Sequence, residues 1–345
     1  MRTTDNPFSL NFGKEPYRMI SRQTQINDIV DTFNSVTPSS MLFLITGVRG
    51  SGKTVTMMSI VNEIRQTKNW IAITLNPNRD LLSGLAAELY ENPLIKPAFI
   101  KAEISFNFVI NASIKSAGPD ADIDVQLKKM FKIISSLGIK VLIAVDEANK
   151  TDNFRVFAST YQMLISEGYP LFLIMTGLFE NIRSLQNDRS LTFLYRAPRI
   201  ELRPLSVIAM ANNYRDVFDI TEEESLEMAR FTKGYSYAFQ VLGYLKFKKK
   251  VSLEKLIPEF DEIMEEYSYE KIWSELSEKD REVIRLLAQN GRMKVKDIQD
   301  ALGMTSSSFS TYRRRLSKGG LISVENYGYC ELILPRFSEI ISSWG

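Results

Sequence analysis

Residues 41–54 read MLFLITGVRGSGKT, and this stretch decides the fold. Its first part, Met41–Thr46, is a short apolar run, too short for a free-standing helix. Runs of this kind are buried on both faces when they form strands of a parallel sheet. Its second part, Gly47-Val48-Arg49-Gly50-Ser51-Gly52-Lys53-Thr54, fits G-x-x-x-x-G-K-[ST]. A helical pattern, Thr54–Gln66, follows at once. Glycines let the backbone curl until its N–H groups converge on phosphate oxygens, and the helix behind them adds the positive end of its dipole. The stretch therefore predicts an ATP site in which Gly47 to Thr54 cradle the phosphates. Lys53 would reach the β- and γ-phosphates, and Thr54 would ligate Mg2+.

Working outward, three further apolar runs have the same character: Trp70–Leu75, Lys140–Val145 and Leu171–Thr176, with a weaker fifth at Arg199–Leu202. Helical patterns lie before and between them, at Thr24–Phe33, Leu127–Leu137 and Phe154–Ser166. Strand–helix alternation predicts a doubly wound α/β domain. Lys140–Val145 ends in Asp146-Glu147. Asp146 is expected to hold Mg2+ through water, and Glu147 to orient and polarise the attacking water. Thr176, at the tip of the next strand, is placed to hydrogen-bond the γ-phosphate or that water.

The rhythm breaks between residues 76 and 124. This segment reads as an insertion with a helix at Asp80–Glu91 and a half-buried strand or hairpin at Ala102–Ser113, where Ile104, Phe106, Phe108 and Ile110 share one face, serving either as sheet decoration or as a partner-binding or substrate-facing loop. After Pro204 the apolar runs stop. Helical patterns follow at Ser206–Phe218, Thr221–Thr232, Tyr235–Phe247 and Ser252–Trp273, a small all-helical subdomain. Thr221 with Glu224 reads as a capping box, and Lys246–Lys250 as a solvated helix end.

Composition narrows the chemistry. The 345 residues suggest two or three domains, and 44% hydrophobic against 24% charged residues allows a sizeable core. The absence of histidine excludes His-based triads and His metal sites. Cys330, the only cysteine, excludes an intrachain disulfide and any Cys-rich cluster. A net charge of +2 decides nothing about nucleic acid, so local clustering must. The sequence shows no signal peptide and no membrane span, and the expectation is a soluble cytoplasmic protein without a membrane partner.

The glycine-rich loop, Asp146-Glu147, Thr176, an arginine-bearing segment and a helical lid together resemble an AAA+ ATPase. The likeness is to the initiator-like (origin-recognition) and archaeal STAND-like side of that superfamily. Asn6-Pro7-Phe8, Phe12-Gly13 and Ile20-Ser21-Arg22 at the start are similar to bacterial members of the group. The resemblance implies a P-loop NTPase parallel sheet with the helical lid over it, an adenine pocket between Met19–Arg22 and that lid, and an arginine acting on the γ-phosphate. Arg196 matches that position best, with Arg199 and Arg189 as alternatives. One departure stands out. Where many members carry a second lid arginine after a glycine, this chain has Gly234-Tyr235-Ser236-Tyr237-Ala238. Sensing of the γ-phosphate by that arginine is therefore not expected here.

The last unit, about 275–345, has its own pattern. Ser277–Gln289 starts with a capping box from Ser277 to Asp280, Val295–Leu302 is a short second helix, and Thr305–Lys318 is a third. Two strands follow, Leu321–Val324 and Tyr329–Leu334. This order resembles a small winged helix-turn-helix domain. Its third helix carries Arg313, Arg314, Arg315 and Lys318 with no acidic residue, and hydroxyls that include Ser307, Ser308 and Thr311. Those groups suit double-stranded DNA. Consecutive helical residues lie about 100° apart, so the three arginines cannot all face a groove, and at least one is expected on a phosphate or on an acidic residue of its own chain.

The expected organisation is thus an ATPase core over 1–203, a helical lid over 204–274 and a winged helix over 275–345. The expected activity is ATP hydrolysis whose nucleotide state controls DNA binding or assembly, including a homo-oligomer or a protein partner. Two other readings stay open: a nucleotide-gated protein-interaction switch with little turnover, and a small-molecule kinase.

Overall fold

Buried apolar strands need covering on both faces, and the sheet is built accordingly. The computed structural model describes residues 5–11, 17–104 and 123–344. β1 (Leu42–Thr46), β2 (Trp70–Leu75), β3 (Lys140–Val145), β4 (Leu171–Gly177) and β5 (Arg199–Glu201) form one sheet in the order β2-β3-β4-β1-β5. The pairs β2–β3, β3–β4 and β1–β4 are parallel. Every residue of β1 and β4 is buried. The four long strands foreseen from apolar runs all form within a residue of their expected ends. β4 lies between β1 and β3, so the ends of the loop strand and the acidic strand are separated by one strand width. Val145 pairs with Met175 and Thr46 with Gly177, so β1 and β4 end level and β3 stops two residues short of them.

The chain divides into two compact units. One comprises Arg22–Thr46 and Thr56–Ile200, and the other Met1–Ser21, Gly47–Val55 and Glu201–Gly345. The phosphate-loop residues are thus grouped with the helical part of the chain and the N-terminal segment. In the sheet unit, Asp80 caps the helix Leu81–Glu91 by accepting from the N–H groups of Leu82 and Ser83. A further short helix, Lys96–Lys101, follows it. The expected strand Ala102–Ser113 lies, beyond Ile104, outside the described residues.

In the other unit, Val207–Val217, Glu222–Phe231, Ser236–Lys249 and Leu253–Met264 are helical. Phe8 is buried among Tyr214, Phe218 and Phe239, with ring centroids 5.5–5.8 Å away. Gly243 makes room for it, because a Cβ there would stand 2.4 Å from the Phe8 ring. Asn6 donates to the Tyr244 carbonyl and the Ser9 N–H donates to Gln240, so the Asn6-Pro7-Phe8 segment is a plug in the helical layer.

Two local expectations need correction here. Thr221 accepts from the Glu224 N–H as foreseen, but the Glu224 carboxylate reaches Lys246 at 2.6 Å instead of closing the box. Lys246 is buried by this pairing, so Lys246–Lys250 is not simply a solvated end. A carboxylate with a buried ammonium within reach gains more there than from an exposed amide.

After Leu253–Met264 the helix widens into a π-helical turn, Glu265–Tyr269, before Glu270–Ser274. Three helices follow, Glu278–Asn290, Val295–Leu302 and Ser306–Lys318. The capping box from Ser277 to Asp280 forms. β7 (Ile322–Ser323) and β8 (Tyr329–Leu332) pair antiparallel, and β6 (Met293–Lys294), not foreseen, joins the far side of β8. A closing helix, Phe337–Ser342, follows. Tyr269 donates to the Pro335 carbonyl at 2.5 Å, and Arg336 pairs with Asp261 at 2.7 Å. Among the described residues no helix is long and apolar enough to cross a membrane.

Candidate active site

The phosphate loop is built as its glycines suggest. Gly50 and Gly52 take φ of 77° and 90°, where an L side chain is strained. Gly52 has room around it, its hypothetical Cβ meeting only the Ser236 hydroxyl at 3.9 Å. Lys53 begins the helix Lys53–Gln66 and turns back over the loop, donating to the carbonyls of Gly47 at 3.1 Å and Val48 at 3.0 Å. Its ammonium is largely buried inside the loop. Thr54 stands in the first turn of the same helix. Curled glycines, an inward ammonium, a helix start and a hydroxyl form a donor set that fits a triphosphate with Mg2+.

Residues that sequence reasoning left unassigned complete the loop. Tyr235 donates its hydroxyl to the Arg49 carbonyl at 2.5 Å, Ser236 donates its own to the Ser51 carbonyl at 3.1 Å, and the Tyr237 N–H donates to the Gly50 carbonyl at 3.1 Å. Their signal was the stretch after Gly234, visible as a departure from arginine but silent on what replaces it.

At the end of β3, Asp146, Glu147 and Thr176 are brought together. Thr176, fully buried, donates its hydroxyl to Asp146. The Glu147 N–H donates to Asp146 Oδ1 and to Thr176 Oγ1, both at 3.1 Å. The Ala148 N–H donates to the Thr176 carbonyl at 2.8 Å. Glu147 is held at φ 52°, an uncommon conformation for a residue with a Cβ. Glu147 is exposed. The turn is thus tied to the tip of β4.

Just beyond it, Asp188 accepts from Lys150 and Arg155 at 3.0 Å each, and from the Ser190 N–H and hydroxyl. The Ser190 hydrogen bonds, then those of Lys150 and Arg155, hold its carboxyl far below the ordinary carboxylate range. A depressed carboxyl stabilises the fold above its unfolded pKa, near 4, and loses that contribution as pH falls toward the folded value. Asp188→Asn is therefore expected to melt below the parent protein at pH 7, with the gap closing in melting curves taken progressively below about pH 4.

Arg196 ends the 3-10 helix Thr192–Arg196 and is exposed, with no ion pair among the described residues. Arg199 lies over the Phe179 ring at 5.0 Å, and Arg189 is exposed.

In the C-terminal helix Ser306–Lys318, Ser307, Ser308, Thr311 and Arg314 are exposed. Arg315 is the arginine that turns to its own chain. It grips the buried Asp280 with two nitrogens, at 3.1 and 2.5 Å, and donates to the Ser277 hydroxyl at 2.8 Å. Lys318 pairs with Glu201 at 2.9 Å, and Arg313 lies against the buried Cys330. Phe309 and Leu316 bury the opposite face.

A family model described as a domain of unknown function (DUF8462) matches residues 266–341. No curated protein is similar enough to the chain to count as a relative. Among solved structures, the Walker-type ATPase of Pyrococcus abyssi is 16% identical with a TM-score of 0.65, covering 94% of this chain and 96% of its own. The ORC2 protein of Aeropyrum pernix is 11% identical with a TM-score of 0.62, covering 96% of each chain. Cdc6p from Pyrobaculum aerophilum is 15% identical with a TM-score of 0.52, covering 99% of this chain and 97% of its own. The chain therefore has the fold of the archaeal Cdc6- and ORC-type P-loop ATPases.

Proposed function

We propose that this chain binds ATP with Mg2+, hydrolyses it, and uses its nucleotide state to control a C-terminal winged helix that binds double-stranded DNA. The observation that carries the reading is the curled loop Gly47–Thr54, with Gly50 and Gly52 at positive φ and the Lys53 ammonium turned onto the Gly47 and Val48 carbonyls. When bound, Mg2+ supplies neutralisation of phosphate charge, and Thr54 and Asp146 are the residues that would hold it. Gly47, Val48, Arg49, Gly50, Ser51 and Gly52 turn backbone toward the phosphates, Lys53 adds charge, and Glu147 orients the water. Thr176 fixes Asp146 and the Glu147 backbone, and Arg196 is the exposed arginine that best suits the γ-phosphate. Positioning and fixed charge carry most of such a reaction. The Aeropyrum pernix neighbour was solved with ADPNP and ADP, which supports a nucleotide as the ligand.

DNA contact falls to Ser307, Ser308, Thr311 and Arg314, because Arg315 and Lys318 are committed to Asp280 and Glu201. Those pairings also favour a second reading, in which the C-terminal module contacts a protein. Duplex DNA binding measured across a salt series separates the two. On the first reading affinity falls linearly with log salt, and Arg314→Ala lowers the slope by about 1. Arg315→Ala lowers the melting temperature without the same change in slope. Absence of duplex binding at low salt favours the protein partner.

A further inference from the structure

The five successive carbonyls from Gly47 to Ser51 all accept a hydrogen bond from a side chain or from the lid backbone. Lys53 supplies two of them, and Tyr235, Ser236 and Tyr237 supply the other three. Three consecutive residues at the start of the helix Ser236–Lys249 thus grip three consecutive carbonyls on the back of the loop. The fit is close, since a Cβ on Gly50 would stand 2.3 Å from the Tyr235 hydroxyl oxygen. The approach is set by Lys233 and Gly234, both left-handed at φ 48° and 77°, and by the Gly234 carbonyl accepting from the Leu205 N–H at 2.8 Å. A Cβ on Gly234 would meet Pro204 and the Leu205 carbonyl at 2.7 Å.

The same tyrosine reaches further. Its hydroxyl also lies 2.8 Å from the hydroxyl of Ser268, buried in the π-helical turn Glu265–Tyr269. π-turns are irregularities often found at functional positions. Burial pushes the Tyr235 hydroxyl well above the ordinary tyrosine range, so it stays protonated as a donor to the Arg49 carbonyl. Two more contacts run alongside. The Arg49 guanidinium pairs with Glu275 at 2.9 Å, and Gly320, at φ 75°, lies against Val48, with its hypothetical Cβ 3.1 Å from the Val48 Cβ. All of Ser268, Glu275 and Gly320 belong to the 266–341 segment that the family model matches.

We infer that Tyr235 and Ser236 are positioning residues for the phosphate loop, and that the Arg49 carbonyl–Tyr235–Ser268 relay carries the state of the loop into residues 266–341. The inference rests on the nucleotide reading above and deepens it. In place of an arginine sensing the γ-phosphate directly, the lid reads the curl of the loop backbone. Any change in that curl on gripping phosphate moves the Arg49, Gly50 and Ser51 carbonyls, and so disturbs three hydrogen bonds and the hydroxyl shared with Ser268.

The test uses the full chain, MgATP as the probe, and the variants Tyr235→Phe, Ser236→Ala, their double variant, and Ser236→Thr, which keeps the hydroxyl. Nucleotide affinity is measured by calorimetry, and amide hydrogen exchange over residues 266–276 is followed with and without nucleotide. Circular dichroism melting confirms that each variant is folded. The expected result is a nucleotide-dependent change in exchange in the parent protein, its loss in the double variant, an affinity about tenfold weaker in the double variant, and retention of the response in Ser236→Thr. A double variant that melts normally and keeps both parental affinity and the exchange response overturns the inference alone. A parent chain that binds no MgATP overturns the nucleotide reading and the inference with it.

Discussion

Glu147→Gln should keep ATP bound while hydrolysis falls by about 10²–10⁴-fold, the usual contribution of a positioned general base. The substitution preserves size and the backbone N–H that donates to Asp146 and Thr176, so the turn itself should survive. What disappears is the carboxylate. With no histidine anywhere in the chain, a carboxylate is the natural base at the end of β3. The strained φ of 52° adds a second reason to choose glutamine, since a change that relaxed the turn would confuse chemistry with geometry. Steady-state phosphate release paired with equilibrium nucleotide binding gives the answer. Unchanged turnover at unchanged affinity removes Glu147 from the role.

Lys53→Ala should weaken ATP binding by about 10- to 10²-fold, the range for losing hydrogen bonds from a charged group. Two effects add. The ammonium is a buried charge in the loop, and it also bridges the Gly47 and Val48 carbonyls, so removing it loosens the loop as well as discharging it. Lys53→Arg is the informative companion. It keeps the charge but replaces a compact ammonium by a planar fork that cannot fold into the same turn, so affinity should remain well below that of the parent chain. Parental affinity in Lys53→Ala would show that the ligand does not use this loop.

Much of this site was legible before any coordinates. Glycines at positions 47, 50 and 52, with Lys53 and Thr54, constrain local backbone so tightly that one motif between an apolar run and a helical pattern announces its own geometry. The Asp146-Glu147 pair was legible for a related reason, because polar residues directly after a buried strand mark its exposed end. Less legible were groups whose partners lie far along the chain. Arg313, Arg314, Arg315 and Lys318 look alike in sequence, and only packing separates the exposed Arg314 from Arg315, which is committed to Asp280. Thr221 and Glu224 spelled a capping box, yet Lys246 took the carboxylate. Phe8 read as part of a similarity and proved to be a buried ring resting over Gly243.

The amino-acid sequence by itself determined the strand–helix alternation, the phosphate loop, the acidic turn and the helix starts. Each depends on neighbours within a few residues, where periodicity and side-chain chemistry act directly on the backbone. Only the tertiary structure decided that Tyr235, Ser236 and Tyr237 hold the back of the loop, that Tyr235 also meets Ser268, and that Arg315 serves its own module. Those contacts join residues from 33 to 187 positions apart, and a hydrogen bond at that separation exists only once packing has brought its two ends together.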